Sequence, residues 1–219
     1  MNSTSTPSFD GSAAFLRQFI KRRQSAEGCE MCGREVPPNH QHLLKIGSRR
    51  LLCACEACAL LFSGQAATRF RRVPRRNLTL PNFQLTDSQW EALSIPINMA
   101  FFFVSTPNSR VEVLYPSPAG ATESLLAQDV WGEIVVANPV LSTLEADVEA
   151  LLVNRVGHAR ERAAAEYFIV PIDECFKLVG LIRLHWKGLS GGTEVWQEIG
   201  RFFSELKQKS WDISGGRHA

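Results

Sequence analysis

No apolar run in this 219-residue sequence is long enough to cross a bilayer. The longest near the middle, residues 99–104, has six residues against the roughly 20 that a helical span needs. The first twelve residues are polar and rich in Ser and Thr, with neither a basic n-region nor an apolar h-region. No secretory signal is therefore expected, and the expected compartment is the cytoplasm. Catalytic signatures are equally scarce. No Gly-Lys-Ser/Thr follows the loop Ser117-Pro118-Ala119-Gly120-Ala121-Thr122, so it reads as a capped turn rather than a P-loop. Neither a Ser/His/Asp triad, nor a dinucleotide loop, nor a His/carboxylate metal set can be read from the chain, and the protein is not expected to be an enzyme. Outside residues 29–58 there is one cysteine, Cys175. It falls one turn into a helix, where the dipole lowers a thiol pKa. The expected role is nonetheless a buried structural one, because His185 is ten residues on along the same helix. Glu145, Asp147 and Glu149 alternate with Ala and Val, the pattern of a solvated strand edge.

What the sequence does have is concentrated in residues 29–58. Five of the six cysteines lie there, in Cys29-Glu30-Met31-Cys32-Gly33 and Cys53-Ala54-Cys55-Glu56-Ala57-Cys58. A Cys-x-x-Cys turn puts two sulfurs on one side of a tight knuckle, so the 29/32 and 55/58 pairs supply four soft ligands for one tetrahedral ion. The choice of ligands is Cys29, Cys32, Cys55 and Cys58, with Cys53 and His42 in reserve. The ion is expected to be Zn2+, with iron as the alternative that thiolates also accept. Between the knuckles, residues 42–46 and 49–53 read as strands around Gly47-Ser48, giving a hairpin with one knuckle at each end, the layout of a zinc ribbon. Paired thiols without a secretion signal favour a metal over disulfides. Four thiolates leave no open position, so the ion's expected role is a staple for a fold with little core of its own.

Hydrophobic content of 45% and charged content of 21% are ordinary for a globular chain, and the net charge is only +2. The charge is unevenly spread. Residues 1–80 hold 13 Lys/Arg against 5 Asp/Glu, a net +8, whereas residues 81–219 hold 11 against 17, a net −6. That asymmetry fits a nucleic-acid contact through the ribbon, an acidic partner, or attraction between the two halves. The densest basic stretch, Arg69-Phe70-Arg71-Arg72-Val73-Pro74-Arg75-Arg76, fits phosphate contacts or a solvated linker.

In chain order the expectation is an α+β protein. Residues 1–24 form a flexible N-terminus and an amphipathic helix, with Phe15, Leu16, Phe19 and Ile20 on one stripe. Residues 25–62 form the zinc ribbon and 63–81 a basic linker. Residues 82–209 form an α+β domain, and 210–219 a loose tail. Within the domain, Thr86 and Gln89 make a capping box for a short helix ended by Pro96. Residues 97–104 and 111–115 are strands; Phe101-Phe102-Phe103 does not alternate and is expected to be buried on both faces. Thr122 is expected to cap a helix to about Ala137. A second strand–strand–helix unit follows, with strands 148–153 and 167–170, a charged connector at 157–162, and a helix from Pro171 to about Trp186. Thr193 is expected to cap the last helix, with Val195, Trp196, Ile199, Phe202, Phe203 and Leu206 on one face.

The ribbon phrases, with Leu51-Leu52-Cys53-Ala54-Cys55-Glu56-Ala57-Cys58, resemble those of a known family when read together with Tyr115-Pro116-Ser117-Pro118-Ala119-Gly120, Val170-Pro171-Ile172-Asp173-Glu174-Cys175 and Leu181-Ile182-Arg183-Leu184-His185-Trp186. The family is an uncharacterised bacterial one, a domain of unknown function typically encoded beside high-affinity, oxygen-tolerant uptake [NiFe]-hydrogenases. The resemblance spans roughly residues 25–206. It implies no activity and no catalytic residues, and its knuckles match the four chosen ligands. It implies a protein partner, a [NiFe]-hydrogenase subunit or maturation factor. The expected function is thus a non-enzymatic, metal-stapled protein-binding factor in assembly, maturation or electron coupling of a hydrogenase. The alternatives are a nucleic-acid-binding ribbon and a rubredoxin-like electron carrier.

Overall fold

The computed structural model describes residues 27–63, 69–157 and 164–212. The amphipathic helix expected over 12–23 and most of the 157–162 connector lie outside the described residues. The rest is a mixed α+β structure with two sheets and, among the described residues, five α-helices.

The small sheet is the ribbon. β1 (Gln41–Lys45) and β2 (Arg50–Ala54) pair antiparallel, with His42 opposite Cys53 and Leu44 opposite Leu51. A 3-10 turn over Ile46–Ser48 joins them, and Arg49 closes it in the left-handed region at φ 51°. β3 (Phe70–Arg72) joins the free edge of β1, giving the order β2-β1-β3. The stretch expected as a linker therefore belongs partly to the ribbon's sheet. α1 (Glu56–Ser63) follows β2 directly. The two sides of the ribbon have different work, because side chains alternate along a strand. Leu43, Leu52 and Ala54 pack with Cys29 and Cys58 into a core of its own. Leu44, Leu51 and Val73 instead reach the core of the large sheet.

The large sheet contains β4 (Leu78–Thr79), β5 (Met99–Ser105), β6 (Arg110–Ser117), β7 (Gly120–Ser124), β8 (Glu149–Asn154), β9 (Glu166–Pro171) and β10 (Trp211–Asp212). Their order is β10-β4-β9-β8-β5-β6-β7, antiparallel except for β10 with β4. The segment expected to begin a loose tail thus closes one edge. α2 (Asp87–Ala92) carries the expected capping box: Gln89 N–H donates to Thr86 Oγ1 at 3.2 Å, and Thr86 N–H donates to Gln89 Oε1 at 3.1 Å.

Helices cover both faces, which is why β5 reads as an unbroken apolar run. Phe101 and Phe103 point into a core shared with α4 (Ile172–His185) and α5 (Gly192–Lys209). Phe102 points the other way and stacks on Trp131 of α3 (Gln128–Ala137), with ring centroids 5.0 Å apart. Burying each phenylalanine contributes about 2–3 kcal/mol.

Two helix starts differ from expectation. Thr122 caps nothing: it lies in β7, half-buried on a sheet edge, and its hydroxyl meets Ser117 Oγ at 3.0 Å across a tight turn. Gly120, at φ +129°, permits that turn, so the first unit has three strands before its helix. At α5 the cap is Gly191 rather than Thr193. Its φ is +85°, and a Cβ there would lie 2.8 Å from Val195 and 3.1 Å from the Trp186 ring, so only glycine fits the turn.

Candidate metal centre

Cys29 opens a short hairpin in which its own N–H donates to the Arg34 carbonyl at 2.7 Å. Gly33 N–H donates back to the Cys29 carbonyl at 2.8 Å. Gly33 has φ +75°, a conformation that strains any L side chain, which explains a glycine directly after Cys32. The hairpin is tied to the ribbon by Glu30, whose N–H donates to the Cys53 carbonyl at 2.8 Å and whose carboxylate accepts from Cys53 N–H at 2.9 Å. Cys55 sits where β2 ends, and Cys58 lies in the first turn of α1. Strand end and helix start together form the second knuckle.

The four sulfurs of Cys29, Cys32, Cys55 and Cys58 lie within 4.8 Å of one another. Cys32 Sγ and Cys55 Sγ are 3.8 Å apart. A tetrahedron with metal–sulfur bonds of about 2.3 Å has edges of about 3.8 Å, so the cluster has the size a single zinc or iron ion requires. Cys29 and Cys58 are buried, Cys55 is half-buried and Cys32 is exposed.

The thiols are electrostatically unequal. Burial pushes the Cys29 thiol up, but N–H groups of Cys55, Met31 and Cys32 aimed at its sulfur outweigh burial and bring it down to about 6. Cys58 is pushed up to about 12 by burial and by hydrogen bonds in which it serves the other three sulfurs as donor. Cys29 is thus predisposed to the thiolate form in which cysteine binds a metal ion. Such a set, if filled by four thiolates, leaves no coordination position for water.

The reserve residues do not join this group. Cys53 and His42 face each other across the hairpin and meet His40 instead. His40 was not singled out by sequence reasoning; the signal available was a His-x-His at the start of a strand whose partner strand carries a cysteine.

Other sequence-marked residues are structural. Cys175 is fully buried in α4, and burial, with Asp173 and Glu174 nearby, raises its thiol pKa well above the ordinary value. The helix N-terminus does not activate it. Asp147 and Glu149 are not a solvated edge. Glu149 is 0% exposed and takes Arg76 through two bonds of 2.5 and 2.7 Å, and Arg71 Nε lies 3.3 Å from buried Asp147. Arg49 reaches buried Glu112 of β6 at 2.7 Å. These arginines come from the basic half and their carboxylates from the acidic half. The charge asymmetry therefore joins the two parts of the same chain, a pairing visible only once both are folded.

No helix among the described residues is long and apolar enough to cross a membrane. No curated protein and no solved structure matches the chain. A family model does match, over residues 28–210, which takes in both knuckles, the ribbon sheet and all but the last residues of the large sheet. The chain belongs to that family, a family of unknown function designated DUF5947.

Proposed function

We propose that this protein is a non-enzymatic accessory factor whose ribbon, held by an ion at Cys29, Cys32, Cys55 and Cys58, docks on a protein partner. The observation that carries the reading is the convergence of four sulfurs into a closed set, which suits an ion that holds shape rather than one that reacts. A second feature supports a protein surface. α1, anchored at Cys58, leaves Leu60 and Leu61 more than half exposed beside Phe62. An apolar cluster on a rigidly held helix is the usual form of a binding anchor. Zinc is the proposed ion, and a [NiFe]-hydrogenase subunit or maturation factor is the proposed partner. The partner's identity rests on the family resemblance in the sequence.

A nucleic-acid role is less favoured, for a specific reason. Four of the five arginines in 69–76 bond to the protein itself: Arg71 to the Ala146 carbonyl, Arg72 to Gln41 and Glu56, Arg75 to the Asn39 carbonyl, and Arg76 to Glu149. Cations so engaged are not free to neutralise phosphates.

The test is recovery of the tagged full-length protein from a bacterium that makes an uptake hydrogenase, with metal analysis of the same sample. A hydrogenase subunit or maturation protein should co-purify at 0.5 M salt (roughly, well above the range where charge alone holds complexes) and be lost with Leu60→Asp/Leu61→Asp. The preparation should be colourless, with zinc. A red ferric preparation would favour the electron carrier, and salt-sensitive nucleic acid in place of a protein would overturn the reading.

A further inference from the structure

The second cluster of ligand-type side chains lies where the ribbon meets the large sheet. One ring nitrogen of His40, one of His42 and the sulfur of Cys53 lie within 4.8 Å of one another. None of the three belongs to the four-thiol group. His42 and Cys53 are a directly opposed pair on β1 and β2, so they project from the same side of the hairpin. That is the side from which Leu44 and Leu51 enter the large core.

Both imidazoles are already oriented as metal ligands are. His42 Nδ1 lies 2.7 Å from Asp173 Oδ2, at the start of α4. His40 Nδ1 lies 2.9 Å from the Pro37 carbonyl, which can only accept, so that nitrogen carries the proton. A carboxylate or carbonyl on one ring nitrogen fixes the tautomer and turns the lone pair of the other outward, the arrangement that supports a metal-bound histidine. The His40 side chain is only 4% exposed, and its Nε2 has no hydrogen-bond partner among the described residues. A buried imidazole lone pair with nothing to bond is unfavourable and calls for a ligand. Both histidines line a cleft of about 570 Å³, through which an ion can enter.

We infer that His40 Nε2, His42 Nε2 and Cys53 Sγ form a second metal site for a divalent first-row transition ion, with Asp173 as the residue that positions His42. Two nitrogens and one sulfur make a borderline donor set, suited to Zn2+ and its tetrahedral surrogate Co2+. Three protein ligands leave one tetrahedral position for water or an anion, unlike the closed four-thiol set. The ligands come from the ribbon and the positioning carboxylate from α4, so loading this site fastens the ribbon to the large sheet. This goes beyond the staple proposed above and does not depend on it.

The experiment is a metal titration of the full-length protein, first with Zn2+ read by mass spectrometry under native conditions, then with Co2+ read by absorption. Wild type should bind two ions per chain. One cobalt should show the strong near-ultraviolet charge transfer of four thiolates, and the other the weaker band of one. His40→Ala and His42→Ala should each lose the weaker-band ion and keep the other. Asp173→Asn should weaken it about 10- to 100-fold in competition with a chelator, leaving the four-thiol ion unchanged. A wild-type chain whose bound cobalt shows only the four-thiolate band at saturation overturns the inference whether or not any variant folds. So does a second ion that persists in both histidine variants. If Cys32→Ser loses no ion while His42→Ala loses one, the four-thiol reading fails and this one stands.

Discussion

The ribbon and the large sheet solve the same problem by different means. The sheet has an apolar core on each face, with Phe101 and Phe103 in one and Phe102 in the other, and it is held by buried area. The ribbon's own core is small, and two of its buried members, Cys29 and Cys58, are thiols of the four-sulfur group. Area alone cannot hold so small a unit. Besides Leu44, Leu51 and Val73 in the large core, it has polar attachments at defined points: four sulfurs placed to take an ion at one end, and Arg49 and Arg71 reaching Glu112 of β6 and Asp147 just before β8 at the other. Such point attachments can be broken one at a time, whereas buried area cannot.

The largest expected effect comes from removing the ion proposed at Cys29, Cys32, Cys55 and Cys58. A structural site of this type contributes on the order of 10 kcal/mol to folding. Chelation, or Cys29→Ser, is expected to strip hydrogen-exchange protection from β1 and β2 while β5 and β8 keep theirs. Equal loss in both regions would erase the contrast drawn here.

Arg76→Ala should follow in size. It leaves Glu149 charged and fully buried with its main partner gone, a change that costs about 3 kcal/mol when the lost cation is itself partly solvated. Urea unfolding measures it. The double variant Arg76→Met/Glu149→Leu should recover most of the loss, since an apolar pair of similar size needs no compensation. A double variant no better than the single would show that the pair matters for its hydrogen bonds to Thr143 and Glu145 rather than its charge.

The smallest effect belongs to a contact on the surface of the large unit. Lys187 and His185 hydrogen-bond the exposed Glu194 carboxylate and hold its pKa below the ordinary range. A depressed folded value means the stabilisation is complete above the unfolded glutamate pKa of about 4.3 and is lost as pH falls through the folded one. Glu194→Gln should therefore differ slightly from wild type in urea midpoint at pH 7 and converge with it at pH 3. A difference that persists in acid would mean the contact works by shape.

Much of the ribbon was legible because its constraints are local. Cys-x-x-Cys spacing, a glycine after the second cysteine, and Gly47-Ser48 between two leucine-rich strands each act within a few residues. The capping box at Thr86 and the two-sided burial of Phe101-Phe102-Phe103 were readable for the same reason. Thr122 misled because a hydroxyl before an apolar run looks the same whether it caps a helix or meets Ser117 across a turn. Glu149 misled because alternation with alanine and valine describes either face of a strand, and only Arg76, 73 positions away, decides which face is buried.

By itself, then, the sequence determined the four-sulfur knuckles and the presence of an α+β body, since short-range spacing and periodicity suffice for both. Only the tertiary structure decided which carboxylates receive the arginines, which strand completes each sheet edge, and that His40, His42, Cys53 and Asp173 converge. Those pairings join residues up to 133 positions apart, and their geometry exists only in the folded chain.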